Sequence, residues 1–273
     1  MTRTILSSLL ACAAAYVVST SVDGLVLGAQ AAAGGTITGH VKLTGPSPGN
    51  PIIRMGMDPM CGKLNAGKRP INEIVVRAED GGLANAFVDL EGKFAAAPAP
   101  SGVVELDQRN CVYAPRVVGA RSGQTLKIVN NDPLVHNVHS HSTKGNSFNF
   151  TQPKAGMSND VKLKSPDVVM RVGCDIHSWM VAYVGVEEHP YFAVSGADGS
   201  FKISGVPAGR HTIRVWHERF GQLTQMVTVA AGKTANVTFS YTGKEKPSSA
   251  RVQDLIVPPG LSEVRLGSGR FKT

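Results

Sequence analysis

The stretch Cys174-Asp175-Ile176-His177-Ser178-Trp179-Met180 places a thiolate, an imidazole and a thioether at i, i+3 and i+6, where a β-rich run ends and a turn begins. A second element, Asn130-Asn131-Asp132-Pro133-Leu134-Val135-His136-Asn137-Val138, delivers another imidazole from a different strand. Together they supply His136, Cys174, His177 and a weak axial Met180. That is the trigonal ligand sphere of an electron-transfer copper centre: the soft thiolate stabilises Cu(I), imidazoles suit both oxidation states, and a long axial thioether tunes the potential. Cys-x2-His-x2-Met alone would be a weaker signal; the agreement of two separate elements makes it specific. If Cys174 were a small buried hydrophobe and Met180 core filler, the matching positions of His136 and His177 would go unexplained. A Cys-His nucleophile would leave Met180 idle, and no Asn or Asp orienting group stands out by motif.

Outward from these elements the pattern is strand-like almost everywhere. Thr36 to Leu43 alternates, and short β-rich runs follow at Glu73 to Arg77, Ala86 to Leu90, Gln124 to Val129, Asp167 to Val172, Val181 to Val186, His211 to Trp216 and Ala235 to Phe239. Turn-rich segments such as Thr44 to Pro51 separate them, and helical periodicity is scarce. Many short strands between Gly, Pro, Asn and Asp turns predict an all-β sandwich or barrel.

On these residues the chain resembles the cupredoxins: His136-Asn137-Val138 follows an Asn-Asn turn, Cys-x2-His-x2-Met comes later, and the short ligand loop is most similar to that of amicyanin. The resemblance implies a Greek-key β-sandwich with one type 1 copper held by His136, Cys174, His177 and Met180. It further implies that Asn137 pins the ligand loops by hydrogen bonds. The exposed edge of His177 is then the electron's route, with Trp179 in the apolar patch around it.

The run Phe192 to Ile213, with its Ala197-Asp198-Gly199-Ser200 turn and its Val206-Pro207-Ala208-Gly209 turn, looks like a carboxypeptidase regulatory-like, transthyretin-type β-sandwich. That resemblance implies a structural or interaction module without peptidase chemistry. Together, residues 34–242 resemble a bacterial class of exported proteins with a plastocyanin-like domain followed by such a module, sometimes labelled methylamine-utilisation proteins. Asp107 to Pro115 fits that class, in which a His often follows the Pro; this chain has Arg116. The expected division is a leader at 1–33, a copper domain with an N-terminal β extension at 34–188, the second module at 189–242 and a loosely attached tail at 243–273.

The leader reading rests on Arg3, the apolar stretch Ile5 to Val18 and the small-x-small triplet Ala29-Gln30-Ala31, which suit an exported, periplasmic protein. The competing reading is a lipobox at Leu9-Leu10-Ala11-Cys12, acylated at Cys12. No uninterrupted apolar run reaches the roughly 20 residues of a membrane-spanning helix. Without Cys12, three cysteines remain, an odd number in an oxidising compartment. With Cys174 on the metal, Cys61 and Cys111 pair as a disulfide. The alternative is that Met55, Met57, Met60 and Cys61 form a soft Cu(I) docking site. His139 and His141 have opposite strand parity to His136 and point together to the other face, a candidate second metal site.

The formal net charge of +8 favours an acidic partner. The resulting expectation is a non-enzymatic electron carrier that serves a redox protein, such as a cytochrome or dehydrogenase, and does not bind nucleic acid. The rival is a copper carrier or buffer. An oxidase or nitrite reductase would need further copper sites, and only one Cys-x2-His motif occurs.

Overall fold

The computed structural model describes residues 34–247 apart from Ala96. The expected leader with Cys12, and the expected tail from residue 248 on, lie outside the described residues.

The elements in chain order are β1 (Gly35–Leu43), a 3-10 turn (Met55–Met57), α1 (Pro59–Leu64), β2 (Phe87–Glu91), β3 (Val104–Arg109), β4 (Val112–Ala114), β5 (Val117–Arg121), β6 (Thr125–Asn130), β7 (His136–Ser140) and β8 (Asn149–Gln152). They continue as β9 (Met157–Lys162), β10 (Asp167–Gly173), β11 (Val181–Glu187), β12 (Phe192–Val194), β13 (Ser200–Val206), β14 (Gly209–His217), β15 (Gly221–Val229) and β16 (Thr234–Tyr241). The protein is all-β, and no described helix is long and apolar enough to cross a membrane.

Four sheets make two sandwiches. One pairs the sheet β5-β11-β10-β7-β8 with the sheet β4-β3-β6-β9, around Leu106, Leu126, Ile128, Val138, Val172 and Val184. The other pairs β13-β1-β16 with β12-β2-β14-β15, around Ile37, Leu90, Ile213, Val215, Phe239 and Tyr241. Alternation explains the strands. Leu126 and Ile128 of β6 are buried while Thr125, Lys127 and Val129 are half-exposed, and burying each such aliphatic side chain is worth about 1.5–3 kcal/mol.

The sheets divide the chain differently from the sequence-based boundaries. The strand β1, expected as an extension of the copper domain, pairs antiparallel with β13 and parallel with β16. Likewise β2 pairs with β12 and β14. The second sandwich therefore takes strands from both ends of the described chain, because strand pairing is set by inward faces that meet in space rather than by proximity in sequence.

The expected strand at Glu73 to Arg77 forms only an isolated bridge, Arg77 to Leu83. The backbone N–H and carbonyl of Val75 are taken instead by the Asn50 side chain, at 2.8 and 2.9 Å. Several half-exposed, polar strands gave no sequence signal, β9 (MSNDVK) among them. The helix α1 is too short for a periodic signal; Asp58 caps it by accepting from Met60 N and Cys61 N at 2.8 and 3.0 Å, and Pro59 opens it.

The two sandwiches meet at a glycine notch. Gly185 of β11 lies opposite Gly119 of β5 in a parallel register, and Phe87 and Phe192 stack there with ring centroids 5.7 Å apart. A Cβ on Gly185 would stand 2.3 Å from the Phe87 ring, and one on Gly119 2.5 Å from that of Phe192. Phe87 is fully buried and cannot swing away. The variant Gly185→Ala is expected to lose about 1–3 kcal/mol of stability by overpacking, read as a lowered thermal midpoint; an unchanged midpoint would show the notch to be soft.

Candidate metal centre

The ligand-bearing residues sit at the end of the first sandwich. His136 opens β7; Cys174 follows the last residue of β10, and the loop from Cys174 to Met180 runs into β11. That loop is closed by its own backbone: Cys174 N donates to Met180 O at 3.2 Å and Met180 N to His177 O at 2.8 Å. His136, Cys174, His177 and Met180 are all buried. Donor atoms of the first three lie within 4.8 Å of one another.

The two imidazole Nδ1 atoms face each other at 3.1 Å, and the Cys174 Sγ is 3.7 Å from the His177 Nδ1. Nitrogens at about 2.0 Å and a sulfur at about 2.3 Å from one ion would have these separations at angles of roughly 100° and 120°. The donors thus fit one metal ion in a trigonal array. Met180 is packed in the same core as Cys174.

Each imidazole turns its other nitrogen to a carboxylate. His136 Nε2 is 2.9 Å from Asp132, and His177 Nε2 is 3.1 Å from Asp58. Asp132 also accepts from Asn110 N at 2.6 Å and Cys111 N at 2.8 Å. Asp58 accepts from Met60 N and Cys61 N. Cys61 and Cys111 are joined by a disulfide, so both carboxylate anchors hang on one covalent link. Such carboxylate–imidazole pairs fix the tautomer, leave Nδ1 free for a metal and raise its basicity. Neither aspartate is marked as a site residue by the ligand motifs themselves. Asp132 stands four residues before His136, inside the quoted run; Asp58 carried only the mark of a helix cap before Pro59.

Burial alone would push the Cys174 thiol up. Hydrogen bonds from the imidazoles of His136 and His177, and from the Asn137 and His177 backbone N–H groups, outweigh it and bring the thiol down to about 6. Burial would likewise lower both imidazoles, but Asp132 and Cys174 at His136, and Cys174 and Asp58 at His177, raise them. The Asp58 carboxyl is held below its ordinary value, first by the Cys61 N–H and then by His177.

Asn137 ties the loops together: its Oδ1 accepts from Asp175 N at 3.1 Å, and its Nδ2 donates to Asn149 Oδ1 at 2.7 Å and to Phe150 O at 3.2 Å. The expected exposed edge of His177 is corrected, since the residue is only 1% exposed. Asp58 and the Cys61 sulfur, 3.7 Å from its Nε2, cover it. Trp179 packs beside its ring at 5.1 Å and donates from Nε1 to Cys111 O at 2.9 Å. The Met55, Met57 and Met60 group does not form one soft cluster: Met55 is buried in the core, whereas Met57 and Met60 are 80% and 41% exposed. Arg116 is turned from the metal donors to Glu218 at 2.8 Å and Asn72 at 2.6 Å. His139 and His141 lie side by side, with ring centroids 4.5 Å apart. A cleft of about 620 Å³ runs past Met55, Trp179, Tyr113, Lys68, Arg69 and Arg116.

Residues 182–242 match the family model of the carboxypeptidase regulatory-like domain. No curated protein sequence matches the chain. Similar solved structures include a purple cupredoxin from Nitrosopumilus maritimus, at 20% identity and TM-score 0.27 over 30% of this chain and 97% of that one. The Cu(I) form of an amicyanin mutant is 23% identical, with TM-score 0.29 over 38% of this chain and 99% of that one. A Cu-containing nitrite reductase from Thermus scotoductus SA-01 is 20% identical, with TM-score 0.29 over 36% of this chain and 25% of that enzyme. Likenesses at these scores carry no weight for function; the donor geometry does.

In the metal-free protein, thiolate absorbance of Cys174 is expected to titrate with a midpoint near 6 and to shift upward in His136→Ala, which removes one hydrogen bond to the sulfur. A midpoint in the ordinary thiol range in both proteins would contradict the cluster. Replacing the anchor of His177, Asp58→Asn, is expected to weaken Cu(II) binding about 10–100-fold in a chelator competition, and equal affinities would show that the anchor is idle.

Proposed function

We propose that this chain is an exported, periplasmic electron carrier built on one copper ion, held by His136, Cys174 and His177 with Met180 as a weak axial ligand. The observation that supports it most is the buried His-Cys-His set whose imidazoles are each anchored from behind by a carboxylate. A bound copper ion would supply a one-electron Cu(II)/Cu(I) couple at a soft thiolate. The chain's own part is to hold the donors still. The disulfide, the two aspartates and Asn137 oppose rearrangement of the ligands when the charge changes, and the surrounding core keeps water off the thiolate.

With His177 covered, the electron's way to the surface is through Trp179 to the cleft beside it, where Lys68 and Arg69 add positive charge. Together with the net charge of +8, that surface favours an acidic redox protein, such as a cytochrome or dehydrogenase, through steering and a small contact. The buried donors leave little approach for a substrate, which supports a carrier rather than an enzyme. The rival, reversible copper delivery, is favoured by the exposed Met57 and Met60; the rigid anchoring of both imidazoles weighs against easy exchange.

Visible and EPR spectra of the Cu(II)-loaded protein test the proposal. An intense thiolate-to-copper band with narrow copper hyperfine splitting, lost in Cys174→Ala, is the expected result. A weak spectrum that survives Cys174→Ala would overturn the carrier reading and move the weight to copper handling.

A further inference from the structure

On the outer side of the same sheet, away from the buried donors, His139, His141 and Asp175 come together. One ligand atom from each lies within 4.8 Å of the others. His139 Nδ1 is 3.1 and 3.2 Å from the two Asp175 carboxylate oxygens, and the His139 and His141 rings are 4.5 Å apart. Alternation along β7 turns His139 away from the face that buries Val138, and Gly173, opposite His139 on β10, sets no side chain between them. The His139 and Asp175 side chains are 31% and 53% exposed, so the cluster faces solvent.

We propose that His139, His141 and Asp175 form a second, solvent-facing metal site for a borderline divalent transition ion such as Cu(II) or Zn(II). Two imidazoles and one carboxylate suit such ions, leaving coordination positions for water or an incoming ligand. His139 Nδ1 and the Asp175 oxygens already stand at separations that two bonds of about 2.0–2.2 Å to one ion span, and the His141 ring lies beside that of His139. The guanidinium of Arg171 lies over Gly173 on this side and opposes ions bound by charge alone. The site therefore discriminates against Ca²⁺ and Mg²⁺, which need several oxygen ligands. Asp175 directly follows Cys174, and its N–H is held by Asn137. An ion bound there would stand one residue along the chain from the buried thiolate. The assignment of this site does not depend on copper at Cys174.

The test is a Cu(II) titration of the full chain followed by EPR beyond one equivalent. The expected result is a second signal with wide hyperfine splitting from a nitrogen- and oxygen-ligated ion. Affinity for that second equivalent should fall about tenfold or more in the double variant His139→Ala/His141→Ala, with the thiolate band unchanged. The single variant His141→Gln, at an exposed position, repeats the test with less risk to the fold. In Cys174→Ala the second signal should persist, which separates failure of the buried site from failure of this one. A second signal that survives the double variant, or the absence of any second equivalent, would overturn the proposal, and tight Ca²⁺ binding at the same residues would overturn its selectivity.

Discussion

Two aspartates hold the imidazoles of His136 and His177 in place, and each does so in the same way. Asp58 and Asp132 each receive two backbone N–H groups and one imidazole. A carboxylate taken into a protein interior, as that of Asp132 is, is costly unless its oxygens are satisfied; three donors satisfy it, and three likewise hold the half-exposed Asp58. One donor to each aspartate is a half-cystine, and the two half-cystines are bonded to each other. The orientation of both imidazoles is thereby referred to a single covalent link. Closing a loop of 50 residues is worth about 4 kcal/mol in the chain-entropy model, so the link also supports the cover that Asp58 and Cys61 lay over His177.

The joint between the sandwiches depends on packing and charge together. Phe87 and Phe192 fill the space left by Gly119 and Gly185, and Tyr183 meets Trp216 edge-on at 4.9 Å. Beside them Arg214 grips the fully buried Asp89 with two bonds, at 3.0 and 2.6 Å, and reaches Glu91 at 3.1 Å. Burial, and then the neighbouring Asp89, pushes Glu187 well above the usual carboxylate range. Removing one member of such a buried network leaves the others unpaired, at about 3–5 kcal/mol. A joint of this kind fixes the mutual position of the two halves.

The cluster of His136, Cys174 and His177 was legible because its residue types are local: three of the four candidate donors fall within one heptapeptide, and those types are soft and borderline ligands. All-β character was legible for the same reason, since alternation is written residue by residue in segments such as Thr36 to Leu43. What could not be read depends on contacts across long separations. Asp58 meets His177 across more than a hundred residues, and nothing near Asp58 marks it beyond a helix cap. The covering of His177 followed from that contact, so the likeness to an exposed cupredoxin ligand misled. The partners of β1 lie near the other end of the described chain, and alternation says which face is buried without saying against what. The segment 73–77 has strand composition, but its central Val75 gives both backbone hydrogen bonds to the Asn50 side chain, a competition that no local pattern announces.

Chain order across the sheets has a further consequence for how the molecule is put together. The chain leaves the second sandwich after Glu91 of β2 and returns to it at Phe192 of β12, and these two strands are hydrogen-bonded neighbours. Residues 92–191, which carry every donor of the buried site, are thus a domain inserted into a host and carried on a two-stranded stem. The cover over the site does not belong to the insert: Asp58 and Cys61 come from the host's own connection between β1 and β2. Cutting the insert free at its stem would retain Cys174, His136 and His177 but strip His177 of its carboxylate and Cys111 of its partner. The host is equally dependent, because its strand β1 pairs with β16, on the far side of the insert in the chain. The host sheet therefore cannot close before β16 has joined β1, a pairing of high sequence separation that slows β proteins, and the His136, Cys174 and His177 cluster gains its cover only when host and insert have closed on each other.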